Sequence, residues 1–211
     1  MKDLNKKIKD RLDYYLEFDS DDLFKNGDLI KVFGGAVRDS IAEMEINDID
    51  ILCASNSHKA LSKFLTEKGY KFNDYLCGKH LNQMYKSVYN ISEPHTFTKG
   101  DKIIQLIRPR IINRHDIIDS NSIGVFNRLV ENVDISCCGI SYDQNGLKED
   151  FKNAILHCQN LVFSRNSNGT MYDYNRYTHR SIKLINRGWK EIEDTIENNR
   201  DLKIQNIIDE W

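Results

Sequence analysis

The run Gly34-Gly35-Ala36-Val37-Arg38-Asp39 is followed, nine residues after Asp39, by Asp48-Ile49-Asp50. The first stretch reads as a glycine turn that leaves a strand and opens a helix. Such a turn can present backbone N–H groups to phosphate oxygens. The second is a pair of carboxylates spaced i, i+2 along the next strand, so both lie on one face while Ile49 and Ile51 face the core. Two carboxylates held that close repel unless a cation sits between them. Mg2+ prefers oxygen ligands and shares them with substrate phosphates. A two-metal site would activate an attacking hydroxyl and stabilise a pyrophosphate leaving group. Phosphates plus metal-binding carboxylates point to nucleotide chemistry.

A third acid is useful for the metal that activates the nucleophile, and Asp134 is the best candidate. It is a lone carboxylate in the apolar run 133–142, which reads as a strand that could lie beside that of Asp48 and Asp50. Each feature alone has a plainer reading. Asp-x-Asp occurs in many surface loops, Gly34-Gly35 could be an ordinary tight turn, and Asp134 could be a satisfied buried acid. Arg38 and Asp39 could be a helix-surface ion pair of little worth. Their combination changes the reading, because an acid pair on an apolar strand one helix after a strand and a Gly-Gly turn is hard to explain structurally.

The elements that must position these groups are legible from periodicity. Leu4, Ile8, Leu12 and Leu16 recur every four residues, as in an amphipathic helix. Asn26-Gly27 marks a turn, residues 29–33 a strand, 37–44 a helix and 48–53 a half-buried strand. Ser57 reads as the cap of a helix carrying Ala60, Leu61, Phe64 and Leu65, closed by Gly69. Residues 70–100 read as a tyrosine-rich loop, 102–107 as a strand, and 113–130 as a polar connection with some helix. Residues 143–146 make a hairpin-like turn, and beyond about residue 170 only helix is indicated. The expected fold class is α+β, a small mixed sheet with flanking helices over 1–170 and a short helical extension over 171–211. Regular strand–helix alternation and Gly-x-Gly-x-x-Gly are both absent, which argues against a dinucleotide-binding sheet.

The chain of 211 residues is 40% hydrophobic with a net charge of −2, so it can build a core and is no generic polyanion binder; a nucleic-acid surface would have to be a local patch. No run of eighteen apolar residues and no secretory leader is visible, so a cytoplasmic protein without a membrane partner is expected. Five cysteines without a Cys-x-x-Cys pair read as reduced thiols, and the six histidines show no ligand spacing for zinc.

The pairing of Gly34-Gly35-Ala36-Val37-Arg38-Asp39 with Asp48-Ile49-Asp50 resembles the head-domain signature of the bacterial-type (class II) CCA-adding enzymes and poly(A) polymerases. These belong to the DNA polymerase β-like nucleotidyltransferase superfamily. The match is strong over residues 29–54 and loose over 100–190. The resemblance implies a mixed-sheet nucleotidyltransferase head and nucleotidyl transfer from an NTP with two Mg2+ ions. By the same resemblance Asp48 and Asp50 would be the metal ligands and Gly34, Gly35 and Arg38 would hold the triphosphate or sugar; Asp134 is the expected third metal acid, and Asp39 is counted with the nucleotide-binding residues. The family's neck carries an Asp-x-x-Arg element that reads the incoming base, and Asp173-Tyr174-Asn175-Arg176 fits that form. An acid and an arginine at i, i+3 share a helix face and can offer an acceptor and a fork of donors to a base edge.

Two stretches depart from the family. Its glycine between the Arg-Asp and Asp-x-Asp elements is Glu43 here. Asn132 to Cys138 stand where the family has Arg-Arg-Asp-Phe-Thr-Ile-Asn, so both arginines are missing and the final Asn is Cys138. A compact head and short neck is expected rather than a full CCA-adding enzyme, because the family's tRNA-docking body and tail would follow the neck.

After Asp173 no acid occurs until Glu191, and Arg176, Arg180, Lys183, Arg187 and Lys190 step as one basic helix stripe. That stripe could track the triphosphate or an RNA end, with Tyr177, Leu184 and Ile185 off it as core contacts. Ile204, Ile207, Ile208 and Trp211 make a terminal apolar stripe that could pack on the domain or mediate self-association. The leading expectation is a Mg2+-dependent nucleotidyltransferase acting on an acceptor hydroxyl, first of all an RNA 3′ end. Nucleotidylation of a protein or small molecule, and a non-catalytic nucleotide- or RNA-binding relative, are the alternatives.

Overall fold

A computed structural model describes residues 2–74, 94–108, 133–165 and 174–193, with Leu202. Seven strands form one mixed sheet in the order β3-β4-β5-β2-β1-β6-β7. They are β1 (Ile30–Phe33), β2 (Ile49–Cys53), β3 (Lys71–Phe72), β4 (His95–Lys99), β5 (Lys102–Ile107), β6 (Ile140–Asp143) and β7 (Gly146–Glu149). Only β2 and β5 run parallel; every other pair in the sheet is antiparallel. The helices are α1 (Lys2–Leu16), α2 (Asp21–Phe24), α3 (Gly35–Ile41), α4 (Ser55–Glu67), α5 (Ala154–Gln159) and α6 (Tyr174–Ile185). A two-stranded parallel ladder joins β8 (Val162–Phe163) to β9 (Lys190–Glu191), so the segment after residue 170 carries a short strand as well as helix. The α+β class and the mixed sheet follow the expectation from sequence.

The N-terminal periodicity is a real amphipathic face. Ile8, Leu12 and Leu16 of α1 are fully buried with Ile49, Ile51, Ile104 and Leu106 in one core. The same helix pins the loop that leads into β2. The Tyr15 hydroxyl accepts a hydrogen bond from Ile103 N–H at 2.9 Å and donates to the Asn47 carbonyl at 2.8 Å. Asn47 immediately precedes Asp48, so the helix that closes the core also fixes the start of the acid pair.

Several local readings need correction. Residues 133–142 are not one strand. Ser136–Cys138 is a 3-10 turn and only Ile140–Asp143 joins the sheet, beside β1 rather than β2. The reason lies at Ser136. Its N–H donates to the Ser164 carbonyl at 2.9 Å and its hydroxyl accepts from Ser164 N–H at 2.9 Å, while the same hydroxyl bonds His157 Nδ1 at 2.7 Å. These bonds draw the chain toward β8 and α5 before it enters the sheet. Helix α4 begins at Ser55, with Ala54 as its N-cap. Ser57 instead donates from its hydroxyl to the Asp28 carbonyl at 2.7 Å. Strands β3 and β4 lie within the stretch read as a loop; residues 75–93 and 113–130 are outside the described residues. The C-terminal stripe of Ile204, Ile207, Ile208 and Trp211 is also outside them. Cys53, Cys137, Cys138 and Cys158 are buried free thiols, in β2, the 3-10 turn and α5. Among the described residues no helix is long and apolar enough to cross a membrane.

Helix α3 ends at Ile41, short of the expected Met44, because Glu43 adopts a left-handed φ of 57°. The glutamate occupies the conformation that glycine takes most easily, at the position where the resembling family has glycine. Lys7 reaches across from α1 to it, with Nζ 2.6 Å from Glu43 Oε1 and 3.1 Å from the Ile41 carbonyl. A left-handed conformation costs a non-glycine residue about 1 kcal/mol or more, whereas an exposed ion pair contributes about 0–1 kcal/mol. Glu43→Gly and Glu43→Ala both remove the pair, but only glycine relieves the backbone. Urea unfolding is expected to show Glu43→Gly more stable than Glu43→Ala by about 1 kcal/mol; equal stabilities would mean the backbone is unstrained there.

Candidate active site

The strand register brings the glycine turn and the acid pair together. β1 and β2 pair with Phe33 opposite Asp50 and Val32 opposite Ile51. Gly34 follows directly on Phe33, so the turn leaves β1 beside Asp50, while Gln105 flanks Asp50 on the β5 side. Asp48 lies just ahead of β2, and Ile49 and Ile51 are fully buried on the core face. Asp48 and Asp50 are both half-buried.

Gly34 has φ 68° and ψ −123°, a conformation essentially confined to glycine, and a Cβ built there meets nothing within 4 Å. The glycine serves the turn's conformation, and the space over it is open. Gly34 N–H donates to the Ile140 carbonyl at 3.1 Å, tying the turn to β6. The first intrahelical bond of α3 runs from Arg38 N–H to the Gly34 carbonyl at 3.0 Å. The N–H groups of Gly35, Ala36 and Val37 therefore form the donor end of the helix.

Arg38 and Asp39 are buried, not a surface pair. Arg38 Nε donates to Asp39 Oδ1 at 2.7 Å and Nη2 donates to Oδ2 at 3.0 Å, a two-pronged fork. Arg187 Nη1 adds a third bond to Asp39 Oδ2 at 2.9 Å. On the other side, Arg38 Nη1 donates to Cys138 Sγ at 3.3 Å and Arg180 Nη2 donates to the same sulfur at 3.4 Å. Arg180 also forms an ion pair with Asp134 Oδ1. The result is an alternating chain: Arg187, Asp39, Arg38, Cys138, Arg180, Asp134. A hydrogen bond from Cys137 and the two guanidinium groups push the Cys138 thiol well below its ordinary range toward thiolate.

Asp48 experiences a different balance. Burial pushes its carboxyl above the ordinary range. Arg38, Lys183 and Arg180 pull it down, and the Asp39 carboxylate pushes it further up. A carboxyl raised by burial and a like charge is one that gains from a bound cation. Asp48 and Asp50 are the carboxylates here that could hold a divalent cation, since Mg2+ bound together with phosphate oxygens needs only one or two protein carboxylates. Among the described residues no three His, Cys, Asp or Glu side chains gather as a metal-binding group. Asp134 Oδ2 is nevertheless buried without a hydrogen-bond partner.

The basic residues do not form one helix stripe. α6 stops at Ile185, Arg187 lies in the turn after it and Lys190 lies in β9. Arg180 and Arg187 turn inward to acids, Lys183 is exposed and within charge range of Asp48, and Ile185 is exposed rather than in the core. Tyr177 and Leu184 are buried as expected. Asp173 is outside the described residues, as is the side chain of Arg176. Cys138 and Trp189 as neighbours of Arg38 carry no signal in the sequence, because each reaches the site only through the tertiary fold.

No family model matches the sequence, and no curated protein sequence matches it significantly. Solved structures do match. A CCA-adding enzyme in complex with CTP aligns over 100% of this chain and 47% of its own, with a TM-score of 0.58 and 15% identity. The fold is that of the CCA-adding enzymes. The Thermotoga maritima CCA-adding enzyme complexed with tRNA aligns over 99% of this chain and 47% of its own, with a TM-score of 0.57 and 15% identity. A CCA-adding enzyme with ATP aligns over 97% and 44%, with a TM-score of 0.59 and 17% identity. Identities this low speak for the fold, and the chain spans about half the length of these CCA-adding enzymes.

The raised carboxyl of Asp48 has a sign that can be tested. The folded state binds that proton more tightly than the unfolded chain, so the contribution is favourable at acid pH. It is lost as pH rises from the ordinary carboxylate range, about 4, through the higher folded value. In the metal-free protein, Asp48→Asn is therefore expected to melt above wild type near pH 7.5, with the gap closing toward pH 4. A lower melting temperature for Asp48→Asn at pH 7.5 would contradict this account.

Proposed function

We propose that this chain is a Mg2+-dependent nucleotidyltransferase that moves a nucleoside monophosphate from an NTP to an acceptor hydroxyl, with an RNA 3′ end as the acceptor. The observation that carries the reading is the β1–β2 register, which sets the Gly34-Gly35 turn against Asp50 in the CCA-adding enzyme fold. Asp48 and Asp50 would hold Mg2+, which when bound supplies charge neutralisation and hydroxyl activation. Asp134, with one oxygen held by Arg180 and the other unpartnered, is the proposed third acid.

The N–H groups of Gly35, Ala36 and Val37 suit triphosphate oxygens at the open side of the turn. Arg38 has five N–H groups, of which Asp39 and Cys138 take three, so it keeps donors for the nucleotide. Asp39 acts on the nucleotide through Arg38, since both its oxygens are already in hydrogen bonds. Lys183 and Arg180 face Asp48 and supply positive charge where triphosphate would add negative charge. Asp173 and Arg176 are the proposed readers of the base. RNA as acceptor is favoured because a matching structure of this fold is a tRNA complex.

The test is incubation with Mg2+, each labelled NTP in turn, and a mixture of total RNA and protein, with the label located by gel. Label is expected in RNA, and the Asp48→Ala/Asp50→Ala double variant is expected to lose it by about a hundredfold or more while remaining folded without Mg2+. Label in protein would move the acceptor to a polypeptide. No label alongside intact NTP binding would favour a small-molecule acceptor or a binding protein without catalysis.

A further inference from the structure

The segment that follows α6 makes its contacts on the far side of the molecule's sequence, at α3. Gly188 has φ +90° and closes the helix, with its N–H on the Ile185 carbonyl at 2.9 Å and Trp189 N–H on the Leu184 carbonyl at 3.1 Å. That left-handed turn reverses the chain so that the residues on either side of the glycine both reach α3. Arg187 donates from Nη1 to Asp39 Oδ2 at 2.9 Å and from Nη2 to the Glu45 carbonyl at 2.8 Å. The Trp189 ring lies 5.5 Å from Arg38 Cζ, and its Nε1–H donates to Met44 Sδ at 3.0 Å. Trp189 is itself 3% exposed, so its ring is a fixed wall and not a mobile surface group.

These contacts define the orientation of Arg38. Its fork rests on Asp39, Cys138 takes Nη1, and the Trp189 ring lies against the guanidinium by a cation–π contact. Asp39 could swing about its own side chain if Arg38 were its only partner. Arg187 holds the second oxygen and simultaneously grips the backbone at Glu45, which locks the carboxylate that locks Arg38. The guanidinium also sits at the glycine turn, since Nη2 is 3.7 Å from the position of a Cβ on Gly35.

We infer that Arg187 and Trp189 are positioning residues that hold the Arg38 guanidinium at the Gly34-Gly35 turn, where its uncommitted N–H groups meet the phosphates of an NTP. The inference rests on the nucleotide-binding reading of that turn. It makes the strap after α6 part of the nucleotide site without touching nucleotide, because preorganising a donor lowers the ordering cost of binding. A Lys at 187 can keep the charge but cannot hold Asp39 and Glu45 with two parallel donors.

The experiment is calorimetric titration of wild type, Arg187→Ala, Arg187→Lys, Trp189→Phe and Trp189→Leu with each NTP and Mg2+, joined to KM and kcat for the preferred NTP. Arg187→Ala and Trp189→Leu are expected to weaken NTP binding and raise KM by about tenfold with kcat within about threefold. Arg187→Lys should fall between, and Trp189→Phe, which keeps an aromatic face, should stay near wild type. Folded Arg187→Ala that binds NTP as wild type does would overturn the inference while leaving the nucleotide site standing. If Arg187→Ala fails to fold, Arg187→Lys and Trp189→Leu are judged by the same criterion, and unchanged binding in both overturns it. Wild type that binds no NTP would sink the nucleotide reading itself, and the inference with it.

Discussion

The Asp39 carboxylate is the point on which the rest of the site depends. It is almost wholly buried and accepts from two arginines at once, Arg38 within α3 and Arg187 from beyond α6. A buried charge of this kind is costly unless every lone pair is matched, and removing one partner leaves the others uncompensated. The arrangement therefore enforces a single geometry. α3 cannot rotate without losing Asp39, and the strap after α6 cannot lift without leaving that carboxylate short of a partner. The same chain of contacts continues through Cys138 and Arg180 to Asp134, so the turn between residues 134 and 138 is held to the same framework.

The acids that would hold metal obey a different logic. Asp48 and Asp50 are half-buried, and burial disfavours the charge on Asp48 more than the nearby Arg38, Lys183 and Arg180 favour it. Structural acids are ordinarily pulled the other way by a partner, as Glu17 is, held down to about 2 by Lys102 and Lys99. The contrast separates a carboxylate whose charge its ion pairs favour from one whose charge burial disfavours. α1 bears on this, because Tyr15 fastens the Asn47 carbonyl and β5 to one hydroxyl and so denies the acid pair an easy route of relaxation.

Two departures from the resembling family acquire physical meaning in the fold. Glu43 takes the left-handed conformation that glycine would supply and meets Lys7 of α1. Cys138, where the family has asparagine, accepts from two guanidinium groups, and a hydrogen bond from Cys137 together with those groups draws its thiol below the ordinary range.

The glycine turn, the Asp-x-Asp pair, the α1 stripe and the α+β character were determined by the sequence itself, because each is a local pattern with a period or a turn preference behind it. The sequence could also mark Arg38 and Asp39 as neighbours, but not that they are buried. What only the tertiary structure decided is which groups meet across long separations. The register of Phe33 with Asp50 depends on how β1 and β2 pair. The strand expected around Asp134 gave way to a 3-10 turn because Ser136 found partners at Ser164 and His157. The apparent basic stripe broke up because Gly188 reverses the chain and sends Arg187 back to Asp39. Local periodicity carries information about the face a residue occupies, whereas the partner waiting at that face is set by the packing of elements distant in the chain.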